Sequence, residues 1–241
     1  MEPYLPPANS GIWTIFWNLS PAAKVIVVIL FFFSIISWAI IIKKAFYFRR
    51  LRKMEQTLKT IYAMRQNVLE ILSIAQKYPR NFWGQLLVAT EEELQRSASL
   101  SNTDFNENLL LNIKETLTKT INNLSEELEE NLGFLATCSS VAPFLGLLGT
   151  VWGILQAFLS VRHVSIVTLQ TIAPGIADAL VTTVVGLLVA IPAAIAYNYF
   201  VGQVKKFTNL MESWQIEIIN DLRRRLVLKS AGIEPLAKKS L

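Results

Sequence analysis

The 241-residue chain has one cysteine, one histidine and few charges: 23 Lys+Arg and 18 Asp+Glu make up 17% of it, where soluble domains carry about 25%. With Cys138 alone, an intrachain disulfide is excluded. His163, beside Arg162, has no second His or Cys near enough to complete a metal site, so neither a metal nor a cofactor is expected. The parts of an enzyme are missing as well: there is no nucleophile–base pair, no metal-ligand cluster and no phosphate-cradling loop. The scarcity of charge is also uneven. Lys and Arg are absent from 25–42, 131–161 and 163–204, and Asp178 is the only acid inside these windows.

What fills those windows is apolar. The chain is 52% hydrophobic with a mean hydropathy of +0.40, and a bilayer core needs about 20 mostly apolar helical residues. The expected fold is therefore all-α: an integral membrane protein with three transmembrane helices, the second and third extended into a cytoplasmic helical bundle. A disordered chain, a nucleic-acid-binding domain and a disulfide scaffold are excluded, and the net charge of +5 reads as orientation in a membrane. Lys and Arg number 1 before the first span, 13 in 43–130, 1 between the second and third spans and 8 in 205–241. The positive-inside rule then places 43–130 and the C-terminal tail in the cytoplasm.

The resulting organisation is a periplasmic N-terminus with an interfacial helix (1–24), a first span (25–42) and a cytoplasmic helical domain (43–130). A second span with a cytoplasmic extension (131–161), a periplasmic turn (162–167) and a third extended span (168–204) follow, then a C-terminal helix and tail (205–241). The first 24 residues lack the basic start of a secretory signal, so an uncleaved signal-anchor is expected. Ile12, Ile15, Phe16 and Leu19 share one helical face, with Trp13 and Trp17 nearby. The 54–103 stretch reads as helices broken near KYPRNFWG. Beyond it, Leu110, Ile113, Leu117, Ile121, Leu124, Leu128 and Leu132 form an 11-residue repeat that keeps one stripe on a nearly straight helix. No Pro or Gly intervenes before Gly133, so one long helix entering the second span is expected. Its stripe must bury against the 54–103 helices or a neighbouring copy.

The two later spans present small faces. Ala142, Gly146, Gly149, Thr150 and Gly153 recur at three- and four-residue steps, as do Gly175, Ala179, Thr183, Gly186, Ala190 and Ala194. Small residues let helix backbones approach closely in lipid. Pro143, Pro174 and Pro192 are the expected kinks. If the external turn is centred near residue 166, positions whose numbers sum to about 333 share a level, which matches Thr150 with Thr183. Asp178 stands apart. An ionised carboxylate in a bilayer is costly, and no Lys or Arg lies within the three windows. It must be protonated, hydrated, bonded to hydroxyls such as Thr182, or paired with another chain.

These residues resemble the TolQ/ExbB/MotA family of proton-driven motor subunits. The matching motifs are APFLGLLGTVWGILQAF at 142–158 and APGIADALVTTVVGLLVAIPAAIAYN at 173–198; FSIISWAIII at 33–42 is most like the TolQ branch. The resemblance implies a homopentamer in the bacterial inner membrane, surrounding the single-span helices of TolR-like or ExbD-like partners and working with a TolA/TonB-like periplasm-spanning protein. Besides these proteins the partner is membrane lipid, and no nucleic acid. It implies that Thr150 and Thr183 face a pore and that Asp178 is the membrane acid of a proton path, with Thr182 adding a hydroxyl. The family typically has Glu at that position; Asp is one methylene shorter. The function implied is a stator coupling proton flow to work on the cell envelope during division. An ExbB-like subunit energising outer-membrane nutrient import, or a passive channel or scaffold, are the alternatives.

Overall fold

The computed structural model describes residues 16–17, 19–64, 82–100, 107–162 and 168–230. Most of the expected interfacial helix, the start of the KYPRNFWG break, the 163–167 turn with His163 and the 231–241 tail lie outside the described residues. Within them the chain is all-α, with no strand. The helices are α1 (Pro21–Met64), α2 (Phe82–Leu100), α3 (Glu107–Glu129), α4 (Leu132–Ser160) and α5 (Leu169–Ser230). α1, α4 and α5 are each long and apolar enough to cross a membrane. Helix is the form such segments must take, because hydrocarbon offers no partner to an unbonded N–H or C=O.

The contacts divide the chain into two compact units, Met1–Lys44 with Asn131–Phe200, and Ala45–Glu130 with Val201–Leu241. In the first, many of the buried side chains are small: Ala23, Cys138, Ala142, Ala157, Ala179, Ala190 and Ala193 lie inside, joined by Leu19, Ile26, Leu30, Leu132, Leu135, Val189 and Phe200. Large apolar side chains point outward instead, among them Phe31, Phe32, Trp38, Phe144, Trp152, Phe158, Leu188 and Ile195. That inversion of the soluble pattern is what a lipid solvent permits. Phe33 meets Phe134 edge to face at 5.7 Å, and the Ser37 hydroxyl donates to Cys138 Sγ at 3.2 Å.

The second unit has a conventional core. All six stripe residues of α3, from Leu110 to Leu128, are buried, and α3 packs on α2. The stripe is therefore covered within the chain, resolving the choice left open by its periodicity. Phe207 of α5 stacks on Phe48 at 5.9 Å and touches Phe82 at 5.8 Å; Trp83 meets Trp214 edge to face. Hydrogen bonds from Gln215 to Lys114 O and Thr118 Oγ1, and between Ser125 and Thr208, tie α5 to α3.

Two expectations need correction. The helix through the leucine stripe is not continuous into the second span: α3 ends at Glu129, and Asn131 adopts φ 64°, ψ −2° before α4 begins. Asparagine is among the few residues that enter the left-handed region at small cost, so neither Gly nor Pro is needed for the break. Conversely, α5 has no boundary at 204 and runs to Ser230; the charged Lys205 and Lys206 change the solvent, not the backbone. The helix that carries the expected first span, α1, begins at Pro21, where Ser20 caps it (Ala23 N–H to Ser20 Oγ, 3.3 Å) and proline suits the first helical position. Pro143, Pro174 and Pro192 all lie inside their helices and end none of them; each withholds one N–H from the ladder.

We expect Asn131→Val to destabilise the detergent-solubilised protein by about 1–2 kcal/mol, and Asn131→Gly to leave it unchanged. Thermal unfolding of the two variants checks this.

Candidate functional site

α4 and α5 meet through their small faces at separations that leave no room for a side chain. A methyl group placed on Gly186 would lie 2.7 Å from the Ala142 carbonyl oxygen and 3.1 Å from Gly146 Cα. One on Gly153 would meet Ala179 Cβ at 3.0 Å, and one on Gly175 would meet Ala157 Cβ at 2.8 Å. On Gly149 it would overlap the Thr182 side chain. The pairs Gly146–Gly186, Gly153–Ala179 and Ala157–Gly175 each sum to 332, one residue from the register expected of a turn near 166. Ala190 is buried too, one turn beyond Gly186.

The hydroxyls divide by partner. Thr182 is fully buried; it donates to Ala179 O at 2.7 Å and approaches Gly146 O at 3.3 Å. Thr183, partly exposed, donates to the same Gly146 carbonyl at 3.1 Å. Two hydroxyls of α5 thus converge on one carbonyl of α4. Such bonds form only because the glycine lets the backbones approach, and in hydrocarbon water does not compete for them. Thr150 bonds within its own helix: its Oγ1 donates to Leu147 O at 2.6 Å, the usual resting bond of a helical threonine. The structure therefore joins Thr182 and Thr183 through Gly146, and gives Thr150 no hydrogen bond to either.

Asp178 is partly exposed on α5. Thr182 is not its partner, because that hydroxyl is turned into the interface with α4. Asp178 Oδ2 instead accepts a hydrogen bond from the backbone N–H of Ser20, at 2.9 Å. Ser20 is the residue that sequence reasoning missed. The Ser-Pro pair marks a helix start, but nothing in the sequence places that start beside position 178. The contact sets Asp178 at the level where α1 begins. Among the described residues no group of three or more His, Cys, Asp or Glu converges to hold a metal.

The glycine contacts give a controlled comparison. Gly149→Ala should cost about 1–3 kcal/mol through overpacking, whereas Gly133→Ala, with nothing within 4 Å of the added methyl, should cost nothing. Unfolding of both variants in detergent reads the difference.

Comparison with known proteins meets this geometry at the same residues. The profile of the MotA/TolQ/ExbB proton channel family matches residues 90–213, which includes the whole α4–α5 contact. The chain is 35% identical to the Tol-Pal system protein TolQ of Haemophilus influenzae over 186 residues, covering 76% of this chain and 81% of the relative. Identity to the Tol-Pal system protein TolQ of Pseudomonas aeruginosa is 32%, covering 83% and 87%. The biopolymer transport protein ExbB of Salmonella typhimurium is 28% identical, covering 93% and 92%. The chain belongs to the MotA/TolQ/ExbB proton channel family.

Proposed function

We propose that the protein is a TolQ-like stator subunit of the bacterial inner membrane. In this reading it surrounds a TolR-like single-span partner and couples proton flow to work on the cell envelope during division. The observation that carries the reading is Asp178, the only acid within three windows free of Lys and Arg, partly exposed on a helix whose neighbouring hydroxyls are already ordered. An intramembrane carboxylate is a functional group by default, because lipid penalises it otherwise. Asp178 takes up and releases protons, Thr183 and Thr150 supply polar atoms along the path, and Thr182 holds α5 against α4 from inside the contact. The exposed apolar faces of the spans are the surfaces for lipid and for further copies, five in the proposed ring. The 43–130 region and the C-terminus lie in the cytoplasm, the N-terminus in the periplasm, and a TolA/TonB-like protein carries the movement outward.

The energy scale suits such a device. One charge crossing the membrane potential releases about 2.3 kcal/mol per 100 mV, enough to slide smooth Gly/Ala surfaces but not to separate interlocked side chains. The ExbB-like reading, energising nutrient import, is favoured by one observation: the ExbB of Salmonella typhimurium aligns with a larger share of the chain than either TolQ. The two readings share a mechanism and differ in cargo, so the neighbouring reading frames separate them.

Asp178→Asn and Thr183→Val test the mechanism. Each should retain oligomeric assembly, measured by native mass in detergent, while proton-driven activity with the single-span partner falls by about tenfold or more, the loss of one well-placed interaction. Full activity in both variants leaves only a scaffold.

A further inference from the structure

We propose that Ser20 is a positioning residue for Asp178, and that the start of α1 registers the proton load of that carboxylate. This rests on the reading of Asp178 as a group that gains and loses a proton. The start of α1 uses most of its donors locally. Pro21 has no N–H, the Ala23 N–H is used by Ser20 Oγ, and the Lys24 N–H is used by Ser20 O at 3.0 Å. The Ser20 N–H is the donor that faces Asp178, across 158 positions of sequence. A helix N-terminus favours a negative charge, and a charged acceptor makes roughly twice as strong a bond as a neutral one. The ionised carboxylate therefore holds the start of α1 against α5, and protonation weakens that hold.

The surroundings leave Asp178 as the group that switches. Besides it, the charged side chains among the described residues of this unit are Lys24, Lys43, Lys44 and Arg162. Lys24 is the nearest along the chain to Ser20, with its Nζ 5.9 Å from the Trp17 ring centroid. α4 contributes one titratable side chain, Cys138, whose sulfur accepts from Ser37; α5 contributes Tyr197 and Tyr199 in addition to Asp178. His163 lies outside the described residues, and the variants below separate its titration from that of Asp178. The consequence for the proposed motor is specific. A proton arriving at Asp178 loosens a second span of the same subunit, besides altering whatever faces the acid from a partner.

The experiment is amide hydrogen exchange of the full chain in phosphatidylethanolamine/phosphatidylglycerol nanodiscs, followed on residues 19–24 from about pH 2.5 to about pH 8, which extends to both sides of the ordinary carboxylate range. Exchange is expressed as protection factors so that the intrinsic pH dependence cancels. The wild type should lose about tenfold in protection on the acid side. Asp178→Asn should be low and flat, and Asp178→Glu should restore the pH dependence. Unchanged protection in α4 shows that the variants are folded. Equal protection in wild type and Asp178→Asn, or wild-type protection that ignores pH, overturns the proposal. If Asp178→Asn loses proton-driven activity with protection intact, the latch falls and the proton path stands; lowered protection with full activity removes the proton path and leaves the contact.

Discussion

The close approach of α4 and α5 is the constraint on which the rest of the first unit depends. In hydrocarbon there is no hydrophobic gain from bringing two helices together, so the contact must come from short-range packing and from hydrogen bonds that lipid cannot supply. Glycines 146, 149, 153, 175 and 186 bring the backbones near enough for Thr182 and Thr183 to reach the Gly146 carbonyl. Once that pair is fixed, the rotation of α5 about its axis is fixed with it. Thr182 is turned inward, Asp178 is directed to the start of α1, and the bulky apolar residues are left on the outside.

That arrangement separates two tasks along one helix. The Gly/Ala/Thr face does the holding, while Asp178, among the described residues, accepts one hydrogen bond, from a backbone N–H of α1's start. In the proposed function Asp178 changes its proton load, and such a group needs a partner weak enough to release. A buried Lys or Arg beside it would fix the carboxylate in one state, and the windows 25–42, 131–161 and 163–204 contain neither.

Much of this was legible in the sequence, for identifiable reasons. The leucine stripe of α3 and the small faces of α4 and α5 recur at helical spacing, and periodicity survives translation into three dimensions unchanged. The Lys/Arg-free windows announced the spans. What escaped notice was either local chemistry with more than one outcome or contact between distant positions. Asn131 breaks the helix by entering a conformation that asparagine permits but does not require. The aromatic cluster of Phe48, Phe82 and Phe207, and the meeting of Trp83 with Trp214, join segments far apart in the chain. The same is true of Ser20 and Asp178. The continuity of α5 past Phe200 was obscured because a change from apolar to charged residues looks like a boundary, although a helix is indifferent to which solvent surrounds it.

The central claim is that Asp178 changes its protonation state while the chain is folded in lipid. Infrared difference spectroscopy of the protonated-carboxyl stretch, taken during a pH titration of wild type and Asp178→Asn in bilayers, measures that event directly. The account predicts a carboxyl band that grows on acidification in both proteins, with one component in the wild type that is missing from the variant. A wild-type carboxyl signal indistinguishable from that of Asp178→Asn at every pH would contradict it.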